Sequence, residues 1–90
     1  MTYLSLWKGQ IPSRARVRDV LARVALEEGL PVSLLLTKTR RRVVAWPRQR
    51  VFYEAKREGR SYPEIARVFG MDHTTVLYGV RAYAARMAAE

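Results

Sequence analysis

The sequence holds no cysteine and a single histidine among its 90 residues. Disulfides and thiolate metal sites are therefore excluded, and too few nitrogen ligands remain for a zinc site. The lone histidine, His73, has no thiol to activate. Its neighbour Asp72 is expected to point away from it around a helix, so no catalytic triad is spelled. The glycine-rich phosphate loop, GxxxxGK followed by Ser or Thr, is missing too, which leaves ATP without a seat. No apolar run approaches the length of a membrane span, and MTYLSLWKG has no basic lead before a sustained apolar core. The expectation is a soluble cytoplasmic protein with no enzyme activity, no cofactor, no metal and no membrane partner. Neither an internal repeat nor a low-complexity segment is present.

Acidic residues are scarce as well. Seventeen Lys and Arg stand against eight Asp and Glu, a formal charge of +9. Residues 38–60 hold nine of the bases against two acids, while residues 61–90 sum to zero. The excess is thus a patch, and a patch of this kind points to a polyanion, nucleic acid first and acidic membrane second. Ninety residues suffice for one core of a few helices and not for two.

What is present is helical periodicity. Residues 1–12 keep no clear period and form an N-terminal arm, whose aromatics are read first as covering the core and second as binding a protein partner. Residues 13–90 form the domain. In residues 13–28, Val17, Val20, Leu21, Val24 and Ala25 fall at i, i+3, i+4, i+7 and i+8, with Ser13 as the expected cap and Gly29 as the stop. Pro31 is expected to start a short helical turn through Leu34, Leu35 and Leu36. Pro47 is expected to open a further helix to Arg57, with Val51, Phe52 and Ala55 inward and Arg48, Gln49 and Lys56 outward.

The stretch SYPEIARVFGMDHTTVLYGV, residues 61–80, reads as a helix-turn-helix. Its first helix starts with Ser61 as cap, Pro63 in the first turn and Glu64 at capping-box distance. Ile65, Ala66 and Phe69 form its inner face. Gly70 supplies the left-handed residue at its end. Asp72 caps the second helix, which carries Val76, Leu77 and Val80 inward and continues the stripe through Tyr83, Ala84 and Met87. The fold class is all-α, a compact helical domain containing a helix-turn-helix.

A helix-turn-helix puts the first residues of its second helix at base edges in the major groove. Here these are Asp72, His73, Thr74 and Thr75. Threonine offers a hydroxyl and a methyl, and aspartate accepts from a cytosine amino group. Asp72 is read first as a cap, with base contact in addition. Pro63 and Tyr62 add apolar contact. The basic segment serves the backbone, where roughly six to eight phosphate contacts would make affinity steeply salt-dependent. Within it, Arg40, Arg41 and Arg42 are candidates for a loop entering a narrow A·T-rich minor groove.

Taken together, AWPRQ at 45–49, SYPEIARVFG at 61–70 and DHTTV at 72–76 resemble the C-terminal DNA-binding domain, domain IV, of the bacterial replication initiator DnaA. The resemblance covers about residues 14–87. It implies an all-helical domain that binds an asymmetric duplex site as a monomer. By position, Arg40 is similar to the family's minor-groove arginine, and Arg48, Gln49 and Lys56 to its phosphate contacts. Pro63, Asp72, His73 and Thr74 match its base-reading positions, and Thr75 matches a further contact of that helix. Where the family usually has two glycines and an arginine before DHTT, this chain has Gly70 and Met71, and Tyr62 replaces a smaller aliphatic residue. The family's ATPase domain has no counterpart in these 90 residues, so the expectation is a stand-alone or excised module.

The reading is a sequence-specific binder of double-stranded DNA. Transcriptional regulation is its first role, and replication initiation or its control through DnaA-type boxes is the second. A basic module docking on a protein or an anionic membrane is the alternative of a different class.

Overall fold

The valine stripe of the first amphipathic segment becomes α1, Val17–Glu28, in a computed structural model that describes residues 15–90. Val17, Val20, Leu21, Val24 and Ala25 are all buried, as their spacing requires. The helix starts later than expected. Arg16 takes the N-cap position, where its backbone N–H donates to the Asp19 carboxylate at 3.2 Å. The expected cap Ser13, with Arg14 and the arm of residues 1–12, lies outside the described residues. Gly29 closes α1 at φ +72°, a backbone state that costs a β-carbon-bearing residue.

After Pro31 comes α2, Val32–Leu35, a single turn that buries Leu35 completely. Then α3 spans Arg42–Arg57, and here the sequence expectation is corrected. Pro47 does not open this helix but sits inside it. The reason is packing. The inward stripe of α3 begins at Val44 and runs through Pro47, Arg48, Val51, Phe52 and Ala55, so burial of Val44 carries the helix past the proline. Proline's φ suits a helix, and the hydrogen bond it removes would have ended on the carbonyl of Val43, a residue 65% exposed and open to water. As a result Arg42 is the first residue of α3 and no longer part of a loop.

The helix-turn-helix forms as its caps dictate. Helix α4, Tyr62–Phe69, starts at Ser61, whose hydroxyl accepts the Glu64 N–H at 3.2 Å while Glu64 accepts the Ser61 N–H at 3.3 Å. It ends on Gly70 at φ +64°. Helix α5, His73–Ala89, starts at Asp72. Its inner face is Val76 and Gly79, with Val80 partly buried against the core. Met87, expected inward, is 49% exposed.

Helix α3 is the centre on which the others rest, packing against α1, α2, α4 and α5. Its Phe52 meets Phe69 of α4 edge to face, with ring centroids 4.9 Å apart and planes at 81°. Gly79 of α5 lies directly over the same ring: a β-carbon there would come within 2.7 Å of Phe52 Cδ2. On the other side of α3, Arg50 joins it to α1 through Glu27 and Glu28, and bonds Glu54 on its own helix at 2.6 Å. Arg23 of α1 reaches Glu54 at 2.8 Å. Burial raises the Glu54 carboxyl, but the bonds from Arg50 and Arg23 outweigh it and hold the group below its ordinary value. Among the described residues no helix is long and apolar enough to cross a membrane.

Candidate nucleic-acid interface

Two adjacent surfaces carry the candidate residues, and one cleft joins them. The turn between α4 and α5 and the first turn of α5 bring Asp72, His73, Thr74 and Thr75 to the exterior, all exposed. The loop between α2 and α3 brings Lys38 and Arg40 beside them, and Arg41 follows, exposed, as the N-cap of α3. A cleft of about 350 Å³, lined by Lys38, Arg40, Arg48, Gly70, Met71, Asp72 and Thr75, lies between loop and helix. Pro63 is exposed at the start of α4, and with His73 it lines a second hollow on the far side of the same turn.

The cap fixes the geometry of the α5 start. One oxygen of Asp72 accepts the Thr74 N–H at 3.0 Å and the Thr74 hydroxyl at 3.0 Å. These bonds, the backbone one first, hold the Asp72 carboxyl below its ordinary pKa. The same oxygen lies 3.4 Å from His73 Nδ1. Asp72 therefore does not point away from His73, as the sequence suggested. A cap residue folds its carboxylate back over the first turn, which puts it within reach of the ring at the next position. Both side chains are well exposed, His73 at 60% and Asp72 at 66%. Thr74 has spent its proton on an acceptor-only carboxylate, so its oxygen faces outward as an acceptor.

The nine bases of residues 38–60 fall into two groups. Arg48, expected outward, is turned in: only 8% exposed, it donates from Nη1 to the Thr37 carbonyl and from Nη2 to the Thr39 carbonyl, each at 2.7 Å. Its place on α3, four residues after Val44, is on the inner stripe, and the loop carbonyls give a buried guanidinium the acceptors it needs. Burial pulls its pKa below the ordinary arginine value. Arg50 is committed to Glu27, Glu28 and Glu54, and Arg60 bonds the Ala15 carbonyl and Glu64. Lys38, Arg40, Arg41, Arg42 and Arg57 are exposed. Arg42 and Arg86 both approach the half-exposed ring of Trp46, at 5.3 and 4.1 Å from its centroid. Lys56 is half-buried with its ammonium 4.6 Å from the centre of the Tyr62 ring, which ties the end of α3 to the start of α4.

Gln49 lines a third hollow with Arg48, Phe52, Thr75 and Tyr78, and its Oε1 is buried without a partner. Tyr78 was not singled out from the sequence. It stands 65% exposed one turn beyond Thr75, on the outer face of α5. Its signal was its spacing, three residues after Thr75 and outside the inward stripe. Lys38 is the first base of the cluster that the sequence assigns to a polyanion.

Residues 17–82 match the family model described as the bacterial dnaA protein helix-turn-helix. The chain is similar to the chromosomal replication initiator protein DnaA of Rhizobium meliloti (strain 1021), 43% identical over 72 residues, which is 78% of this chain and 15% of the relative. It is 47% identical over 72 residues to the initiator of Xanthobacter autotrophicus, covering 78% of this chain and 14% of that protein. Over a shorter stretch of 49 residues it is 53% identical to the initiator of Jannaschia sp. (strain CCS1), covering 52% of this chain and 10% of the relative. The chain thus matches about a seventh of the length of the first two relatives. No solved structure matches it significantly.

Proposed function

The chain belongs to the bacterial DnaA helix-turn-helix family, and from that premise we propose that it binds double-stranded DNA sequence-specifically, at sites of the DnaA-box type. The observation that carries this reading is the shared cleft, which sets the exposed start of α5 beside a loop of exposed bases. Helix α5 enters the major groove with Asp72, His73, Thr74 and Thr75 at base edges. Thr74 accepts from a base amino group, and its methyl meets that of a thymine. The loop of Lys38, Arg40 and Arg41 meets the adjacent minor groove, where the negative potential of an A·T-rich step favours arginine. Lys56 and Gln49 face the phosphates, and Pro63 packs beside the reading end of α5. One copy suffices for an asymmetric site.

The role we assign is replication initiation or its control, exercised in the cytoplasm where the chromosome lies. The transcriptional role placed first on sequence grounds has no support from the relatives, each of which is named for chromosomal replication. Replication therefore takes first place. No reaction is assigned to this chain.

The test is direct. Affinity for a short duplex carrying a DnaA-type box is compared with that for a scrambled duplex of equal composition, at a salt concentration near physiological. Specific complexes are typically about 10³-fold tighter than nonspecific ones or more. Equal affinity for both duplexes would refute the reading.

A further inference from the structure

We propose that Arg48 is a positioning residue for the basic loop, and not a phosphate ligand. The inference rests on the duplex-DNA reading above and deepens it. By position in the AWPRQ stretch Arg48 is expected to meet phosphate, but its surroundings say otherwise. It is 8% exposed, and both terminal nitrogens are committed at 2.7 Å, one to the Thr37 carbonyl and the other to the Thr39 carbonyl. A planar guanidinium can span two carbonyls at once, and a lysine ammonium, a point donor, holds no such fork.

What Arg48 holds is the part of the loop that carries the charge. Residues 37–40 read Thr, Lys, Thr, Arg. The two carbonyls belong to the peptides that lead into Lys38 and into Arg40, so one fork sets the approach to each of the two bases. The threonines add their own ties. The Thr37 hydroxyl donates to the Leu34 carbonyl at 2.7 Å, and the Thr39 hydroxyl accepts the Arg41 N–H at 3.3 Å. Threonines thus anchor the strip while Lys38 and Arg40 stay exposed. Arg48 also borders the cleft shared with Asp72 and Thr75 of the α5 start. It stands on α3, the helix against which α5 packs. The loop is therefore fixed relative to the reading helix through one side chain, and minor-groove and major-groove contacts are held in register by it.

The experiment is a double-mutant cycle between Arg48 and Arg40, read as affinity for a duplex carrying a DnaA-type box with an A·T-rich flank. Arg40→Ala alone is expected to weaken binding about tenfold. In the Arg48→Ala background the same change is expected to cost less than about twofold, because the loop is already out of place. Two full, additive losses would make Arg48 an independent contact and overturn the proposal. Arg48→Lys keeps the charge and is expected to bind as poorly as Arg48→Ala. Affinity close to that of the wild type would mark a phosphate ligand instead, since lysine serves phosphate well. If Arg48→Ala does not fold, Arg48→Lys carries the cycle. A second measurement needs no DNA: amide hydrogen exchange in residues 37–41 is expected to speed up in Arg48→Lys while α1 and α3 remain protected. Unchanged loop exchange would show that the fork holds nothing. This arm still reports on Arg48 if the wild type proves to have no preference for the box, an outcome that refutes the proposed function alone.

Discussion

A single carboxylate oxygen of Asp72 accepts both the backbone N–H and the hydroxyl of Thr74, each at 3.0 Å. Cap and proposed reading residue are thereby one unit. The N–H bond starts α5, and the hydroxyl bond leaves the Thr74 oxygen to act outward as an acceptor. A threonine that donates inward can only accept outward.

Thr74→Ala is therefore expected to reduce discrimination between sites by about 1–3 kcal/mol while leaving nonspecific affinity nearly unchanged. The measurement is the ratio of affinities for a box and for a duplex substituted at one base pair at a time. A loss of equal size on every sequence would remove Thr74 from the base-reading edge.

The carboxylate of Asp72 has a folded pKa below its ordinary value, Thr74 being the main cause. A group shifted in this direction adds stability that is present above its unfolded pKa and is lost as the pH falls through its folded pKa. Asp72→Asn keeps a capping oxygen and removes the charge. The wild type is expected to be the more stable of the two at neutral pH, and the gap is expected to close as the pH falls below the ordinary aspartate range. Denaturant unfolding at a series of pH values measures it. A gap independent of pH would show that the charge at the start of α5 contributes nothing.

Lys56→Ala is expected to weaken binding on every duplex and to lower the slope of log affinity against log salt by about 1, as the loss of one phosphate contact requires. Arg23, which pairs with Glu54 across α1 and α3, provides the comparison. Arg23→Ala is expected to leave the slope unchanged. Equal slopes for wild type and Lys56→Ala would take Lys56 off the phosphate backbone.

Gly79→Ala sets two effects against each other. Alanine favours the helix by about 0.5–1 kcal/mol. Its β-carbon, however, would stand 2.7 Å from a ring carbon of Phe52, which is 2% exposed and locked against Phe69. Overpacking of this kind costs about 1–3 kcal/mol, so net destabilisation is expected in denaturant unfolding. A more stable variant would mean that α5 can move away from α3 freely.

The sequence reveals those features whose causes are local. The α1 stripe and the caps at Ser61, Gly70 and Asp72 depend on neighbours within a few residues, and the structure has them where the spacing puts them. Features that depend on distant partners are not legible in this way. Pro47 looks like a helix start by its own chemistry, yet burial of Val44 on the preceding turn extends α3 past it. Arg48 looks like a surface base until the carbonyls of Thr37 and Thr39, eleven and nine residues earlier, are brought to it. The role of Gly79 requires knowing that α5 crosses α3 at Phe52. Of the base-reading candidates, Asp72, His73, Thr74 and Thr75 were legible because a cap locates the first turn of a helix. Tyr78 carries no such mark, because helical spacing alone does not tell one exposed position from another.

Selection of binding sites by the purified chain from a random duplex pool, repeated at two salt concentrations, bears most directly on whether α5 reads bases. A sharp motif of the DnaA-box type, enriched at both concentrations, is expected. Binding that is strong at low salt, fades at high salt and enriches no motif would reduce the interface to its charge, and the recognition role of Asp72, His73, Thr74 and Thr75 would be refuted.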